Sequence, residues 1–257
     1  DDPRSLFLVA NAFWGKKQYK EAIPIYLDFI EQSGSDEEIF IAYNRLAEVY
    51  KVVEDHQRAL ACCMEAMKLR PWYPTAYLAT AEVYYSMQQY NHAEAMFLIG
   101  LRMAAEDKRY ERTMVVWNPR DFDVNPLRML TYTYLQLSKP REALKCLETI
   151  VTIIPESPKD KKMAKVIKGM VKELDKVEEV LKKSETITDK NELKKLIDKL
   201  PRSLQEHPAI TYLKNTNFIK KESSGRDISI FCGMTDEVWT PETARTKCIG
   251  GSEEAIV

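Results

Sequence analysis

This 257-residue sequence has almost no excess charge, no long apolar run and few histidines and cysteines. Its 38 lysines and arginines nearly balance 39 acids, for a formal net charge of −1, so no global field favours nucleic acid or an anionic membrane. No stretch of 18 apolar residues is present, which excludes a membrane-spanning helix. The three histidines are isolated, and no Cys/His cluster indicates a metal site.

Cysteines are also few, and their setting predicts a reducing compartment. They form no C-x-x-C pair and fall mostly inside apolar patterns, so we interpret them as small, reduced hydrophobic residues of a cytoplasmic protein. We expect no signal peptide before the first repeat. The five are Cys62, Cys63, Cys146, Cys232 and Cys248.

What the sequence does contain is a repeated pattern of aromatic and small residues. Ala59 and Ala93 mark the centres of two matching blocks. Equivalent blocks are centred on Ala22 and on Ala143, at longer spacings. The step from Ala59 to Ala93, about 34 residues, is typical of paired-helix repeats, whose units cannot fold alone and must stack. The alternative is an ordinary helical bundle, which requires no fixed period.

These blocks resemble tetratricopeptide repeats. The small residue at the family's helix contact falls on Ala47 and Ala81, its first-helix aromatic falls on Tyr50 and Tyr84, and its terminal proline falls on Pro71. The resemblance implies an all-α, right-handed solenoid of about four repeats over residues 3–157. An insertion near 103–124 is either a packed loop or a ligand-contacting loop.

After the repeats, a lysine-rich region over 158–213 predicts capping helices. Met163, Ile167, Met170, Leu174, Val177 and Leu181 form a heptad-like seam, but the seam is too short to favour a coiled coil over a capping helix. A shorter helix is predicted from Asn191 to Leu200. The polar stretch 214–226 is expected to be a linker.

The last segment, 227–257, changes character. An apolar β-branched run ends in glycine and predicts a buried strand. Gly250, Gly251 and Ser252 then form a loop before a helix start, which is the opening of a Rossmann-like unit. We expect this loop to lie at a cleft, although Gly250 and Gly251 suit a structural turn as well as a phosphate site. The domain would be truncated, so the chain is expected to be a piece of a longer protein.

The tail resembles the start of a Rossmann-like glycosyltransferase domain, and the repeats resemble the helical region of multidomain bacterial or phage glycosyltransferases. Some methyltransferase-associated domains share the Gly-Gly-Ser-Glu-Glu loop. The resemblance to glycosyltransferases implies a parent enzyme that uses a nucleotide sugar. No catalytic residue, metal site or cofactor site is identifiable within the sequence itself. The alternative is a stand-alone repeat module that binds proteins and has no catalytic role.

A partner-binding groove is predicted along one face of each first helix. Aromatic side chains interleaved with amides and mixed charges suit a peptide or a glycan acceptor, and suit a nucleic acid poorly. The alternative is that these aromatics only pack against the next repeat. The predicted groove residues are Asn11, Trp14, Asn44, Glu48, Lys51, Glu82, Tyr85, Arg128 and Tyr132.

Overall fold

The structure, a computed structural model, describes residues 2–32, 35–108 and 118–218. The chain divides into two compact units, Asp1–Asp175 and Lys176–Val257. The predicted Rossmann-like segment 227–257, with Gly250, Gly251 and Ser252, lies outside the described residues. Within them every element is helical, and a short 3₁₀ turn spans Pro119–Asp121. The helices are α1 (Pro3–Gly15), α2 (Tyr19–Gln32), α3 (Asp36–Val52), α4 (His56–Leu69), α5 (Pro74–Ser86), α6 (Tyr90–Glu106), α7 (Val124–Gln136), α8 (Pro140–Ile153), α9 (Pro158–Ser184), α10 (Lys190–Asp198), α11 (Arg202–Gln205) and α12 (Pro208–Phe218).

The first unit is an all-helical repeat array, which confirms the predicted paired-helix repeats. Each of α1, α3, α5 and α7 packs most extensively on the helix that follows it, and each pair then packs on the next pair. Short loops between consecutive helices favour this antiparallel pairing. The first helices of neighbouring pairs also contact one another, α1 with α3, α3 with α5 and α5 with α7. These contacts align the first helices side by side as one wall.

The turn inside each pair repeats the same backbone conformation. Lys17, Glu54, Gln88 and Ser138 all have positive φ, between 54° and 64°. In each turn the next N–H donates to the carbonyl of the aromatic residue five positions earlier, at 2.8–2.9 Å. This hydrogen bond closes the end of the first helix and sets the angle of the second. None of the eight glycines of the sequence occupies these turns.

Small residues at the helix contacts are buried, as the repeat pattern predicts. Ala22, Ala59, Ala93 and Ala143 are fully buried. At Gly100, a Cβ would lie 2.5 Å from Leu78 Cδ2, so a larger residue at this position would require the Leu78 side chain or the helices to shift. Since interiors are packed at near-crystalline density, such contacts fix the spacing of the helices.

The beginning of α9 continues the series of first helices. Pro158 follows Val124, the first residue of α7, by about 34 residues, the same step that separates Ala93 from Ala59. Ile167 is buried in one core cluster with residues of α3 to α8. The predicted heptad seam is wrong at Met170, which is 47% exposed, whereas its neighbour Val171 packs on the core. The buried positions follow the 3.6-residue period of a straight helix, which shifts the seam by one residue.

The second unit has a small core of its own. Val177 and Val180 of α9 cluster with buried side chains of α10, α11 and α12, including Leu193 and Ile210. The predicted linker is wrong over 214–218, because these residues belong to α12. Their polar side chains are the solvent-facing part of a helix whose Ile210 is buried, so polarity there marks an exposed surface rather than a loop.

Candidate functional site

A cavity of about 320 Å³ lies along α3 and α5, on the wall formed by the first helices. The 3₁₀ turn and the start of α7 form its third side. We call it the α3–α5 cavity. Its apolar lining comes mainly from aromatic and branched side chains, and its polar lining from amides and charges of both signs. The apolar residues include Phe40, Ile41, Leu78, Val83, Phe97, Phe122 and Pro126, and the polar ones include Asn44, Arg45, Glu48, Lys51, Thr75, Glu82, Asp121 and Asn125.

Two ion pairs organise the charges of the cavity. Lys51 of α3 pairs with Glu82 of α5, which ties neighbouring repeats together. Arg45 pairs with Glu48 at 3.4 Å, within α3. Asp121 adds one further acid from the 3₁₀ turn, so the described residues of the lining include two cations and three anions. An almost neutral lining of this kind is unsuited to a phosphate backbone, which requires a basic surface.

Asn44 has a hydrogen-bonding capacity that the described residues do not use. Its Nδ2 donates to the Phe40 carbonyl at 2.7 Å. Its Oδ1 is buried, and no described residue donates a hydrogen bond to it. An unmatched buried acceptor costs about 1–3 kcal/mol, which a donor entering the cavity could recover once the amide turns toward it.

Asn11 and Trp14, two of the predicted groove residues, do not line the cavity. Asn11 Oδ1 accepts a hydrogen bond from the Tyr26 hydroxyl at 2.8 Å. The guanidinium of Arg45 lies 3.5 Å from the centroid of the Trp14 ring, so a cation covers the face expected to receive a ligand. Both side chains are therefore held by contacts within the first unit.

Tyr85 of α5 and Tyr132 of α7, two further predicted groove residues, are half-buried and also lie outside the cavity. The Tyr85 ring packs edge-on against Tyr90 with centroids 5.4 Å apart, and burial raises the pKa of the Tyr85 hydroxyl. Trp14, Tyr85 and Tyr132 are thus neither well exposed nor fully buried. These three positions give the α3–α5 cavity no aromatic platform.

Arg128 is used within the fold. Its Nε and Nη2 donate to the two carboxylate oxygens of Asp160, at 3.1 and 2.6 Å. Hydrogen bonds from Arg128 and from Ser157 hold the pKa of the Asp160 carboxyl below its usual range. Asp160 is 3% exposed, so the pair fastens the start of α9 onto α7.

The structure thus groups four of the nine predicted groove residues in one cavity: Asn44, Glu48, Lys51 and Glu82. Arg45, Asp121 and Asn125 also line it, and none of them is among the predicted groove residues. Arg45 is next to Asn44 on α3, so the same region of that helix indicates it. Asn125 follows Thr75, which also lines the cavity, by the offset that separates Ala143 from Ala93, so the repeat register indicates it too. Asp121 lies in the insertion, which has no counterpart in the other repeats, so no register indicates it.

The described residues offer neither a metal cluster nor a membrane-spanning helix. No group of three or more His, Cys, Asp or Glu side chains lies close enough together to hold a metal ion in the part of the chain described. Across residues 2–32, 35–108 and 118–218, no helix combines the length and the apolar character needed to cross a membrane.

Comparison with known proteins supports a tetratricopeptide-repeat region. A tetratricopeptide-repeat family model matches residues 41–71, which cover most of α3 and all of α4. A double mutant of MamA from strain RS-1 has a TM-score of 0.51 at 16% identity, over 67% of this chain and 86% of that one. MamA from Desulfovibrio magneticus RS-1, residue 41 to its end, has a TM-score of 0.52 at 15% identity, over 67% and 87%.

A thermophilic tetratricopeptide-repeat protein of Thermus thermophilus has a TM-score of 0.50 at 17% identity, over 65% of this chain and 81% of that one. At such identities the likeness concerns the fold alone. No curated protein sequence matches this chain.

Proposed function

We propose that the first unit is a tetratricopeptide-repeat scaffold that binds an extended segment of another protein in the α3–α5 cavity. The observation that carries the proposal is the composition of that cavity. First helices of neighbouring repeats line it with apolar side chains, with ion pairs of both signs and with Asn44, whose buried oxygen lacks a donor among the described residues. Apolar side chains combined with fixed polar groups in one concave site are typical of binding sites.

A polypeptide matches these groups better than the other ligand classes. Its main-chain N–H groups are donors for Asn44, and its side chains offer apolar and charged groups in alternation. The Lys51–Glu82 pair presents a cation and an anion side by side, so charged side chains of either sign find a partner. Among the described lining residues, nucleic acid would face three anions against two cations.

The test is a selection of binding peptides from a random twelve-residue library, followed by titration of the selected peptides by fluorescence anisotropy. The cavity variant combines Lys51→Ala with Glu82→Ala. We expect it to bind at least about 10-fold more weakly, a loss of about 1.4 kcal/mol, because both charged contacts are removed together.

The matched control combines Glu65→Ala with Lys68→Ala. It removes another Lys–Glu pair of the first unit, one that lies on α4 and outside the cavity. Binding should be unchanged in this control. The proposal fails if no peptide is enriched, or if the cavity variant and the control bind the selected peptides equally.

The glycosyltransferase role implied by the tail is not part of this proposal. It depends on residues 227–257, outside the described residues, and neither the family model nor the solved structures support it. The same holds for a glycan acceptor in the groove and for a nucleotide sugar bound by a parent enzyme. A cytoplasmic location stays a prediction from the cysteine pattern.

A further inference from the structure

The start of α9 presents groove-side positions of its own, apart from the α3–α5 cavity. Val166 follows Tyr132, and Lys162 follows Arg128, by the repeat period of about 34 residues. Both therefore occupy positions equivalent to predicted groove residues of α7. Residues 158–175 of α9 belong to the first unit. None of them lines the α3–α5 cavity, so this is a separate surface.

Two neighbouring apolar side chains of this surface are left uncovered. Val166 is 59% exposed and Met170 is 47% exposed, although the adjacent Ile167 is 2% exposed. They are four residues apart on a helix and therefore lie side by side. Gly169, next to Met170, has no atom within 4 Å of the position a Cβ would take, so the space beside the pair is open.

The charge on the same flank of α9 is mostly positive. At 100° per residue, Lys159 and Lys162 point within about 40° of Val166. Neither forms a hydrogen bond or an ion pair through its side chain with any described residue, although the charge of Lys159 contributes to lowering the pKa of Asp160. Arg128 is neutralised by Asp160, and Glu173 is the acid of this flank, at the end away from the lysines. The surface therefore runs from basic to apolar along α9.

We propose that this surface, formed by Lys159, Lys162, Val166 and Met170, docks a partner polypeptide segment whose acidic residues are followed by two apolar side chains. The acids would face Lys159 and Lys162, and the apolar side chains would cover Val166 and Met170. Charge complementarity identifies the partner and sets its direction along α9. A membrane is the less suitable occupant, because two apolar side chains beside Glu173, on a chain of net charge −1, are a small anchor.

The probe is a synthetic peptide with a glutamate-rich first half and two leucines four residues apart in its second half. One control peptide replaces glutamate with lysine, and another replaces leucine with serine. Binding to the whole chain is measured by fluorescence anisotropy at low and high salt, and phosphatidylserine vesicles are tested by co-sedimentation. We expect the acidic peptide alone to bind, and its affinity to fall as salt rises.

Protein variants then locate the binding. Val166→Ser combined with Met170→Ser should weaken binding at least about 10-fold. The matched control is Val52→Ser combined with Leu98→Ser, which changes two side chains of similar exposure elsewhere and should have no effect. Lys162→Glu should also weaken binding, whereas Lys168→Glu, on the opposite flank of α9, should change it much less.

Several results would overturn the inference. They are the absence of binding by the acidic peptide, equal binding of its lysine version, and equal loss in the Val52/Leu98 control. Binding to vesicles but not to the peptide would assign the surface to membranes instead. Failure here would also be distinguishable from failure of the proposed cavity, because the Lys51/Glu82 variant should bind this acidic peptide normally.

Discussion

Replacing Gly100 with alanine tests the close approach of α5 and α6 directly. The added Cβ would lie 2.5 Å from Leu78 Cδ2 and 2.7 Å from Leu78 Cγ, both shorter than any ordinary contact. Leu78 is 6% exposed, so it must change rotamer or push the two helices apart. Overpacking of this kind costs about 1–3 kcal/mol.

The same substitution carries a compensating gain, because alanine in a helix interior is about 0.5–1 kcal/mol more favourable than glycine. The balance leaves a net loss of about 0–2.5 kcal/mol for Gly100→Ala. In a chain of this size each kcal/mol corresponds to about 2–4 °C, so we expect the melting temperature to fall by up to about 10 °C. Circular dichroism during thermal and urea unfolding measures both quantities.

Gly169→Ala is the matched control. Gly169 also lies inside a helix, but nothing is within 4 Å of its Cβ position. It should therefore show only the gain, a stabilisation of about 0.5–1 kcal/mol. The two substitutions are chemically identical and should have opposite signs.

A double-mutant cycle refines the test. Leu78→Ala alone should cost about 2–5 kcal/mol, because it removes a large buried side chain. In the Leu78→Ala background, Gly100→Ala should no longer be destabilising, since the clashing atoms are gone. If Gly100→Ala instead stabilises the wild-type chain as much as Gly169→Ala does, the reasoning about this helix contact is refuted.

Two further predictions concern buried ionisable groups. Asp160→Asn should cost about 1–2 kcal/mol in urea unfolding at pH 7, because it breaks the pair with the partly exposed Arg128. Since the pKa of Asp160 is lowered in the folded state, this cost should shrink as the pH falls through that lowered pKa, and a pH-independent difference would contradict the assignment. Burial raises the pKa of Cys62 to about 12 and those of Cys63 and Cys146 to about 11. Iodoacetamide at pH 8 should therefore modify these three thiols only after unfolding, as read by mass spectrometry, and rapid labelling of the native chain would show that they are accessible.

The paired-helix architecture could be predicted because it is written in local spacing. Ala59 and Ala93 recur at one period, and each marks a helix contact where only a small side chain fits. Tyr50 and Tyr84 end their first helices with the same carbonyl hydrogen bond. Short-range periodicity determines such features, since each repeat contacts mainly its neighbours.

The cavity could be predicted only in part. Asn44, Glu48, Lys51 and Glu82 line it because they occupy equivalent faces of neighbouring first helices. Asp121 joins them from beside the insertion, where no repeat register exists. Its position depends on how an irregular segment folds back onto the array, and one sequence does not encode that as a period.

Tertiary structure alone decided which candidate side chains stay available to a ligand. The face of α7 on which Arg128 lies predicts a groove residue, yet the Arg128 side chain donates two hydrogen bonds to Asp160 at the start of α9. The face of α1 on which Trp14 lies likewise predicts a groove residue, and Arg45 of the next repeat covers its ring. Periodicity tells which face a residue occupies, but contacts between residues far apart in sequence depend on side-chain geometry across helices. The sequence by itself therefore determined the repeat and its faces, and only the packing of neighbouring helices decided which groups on those faces are already engaged.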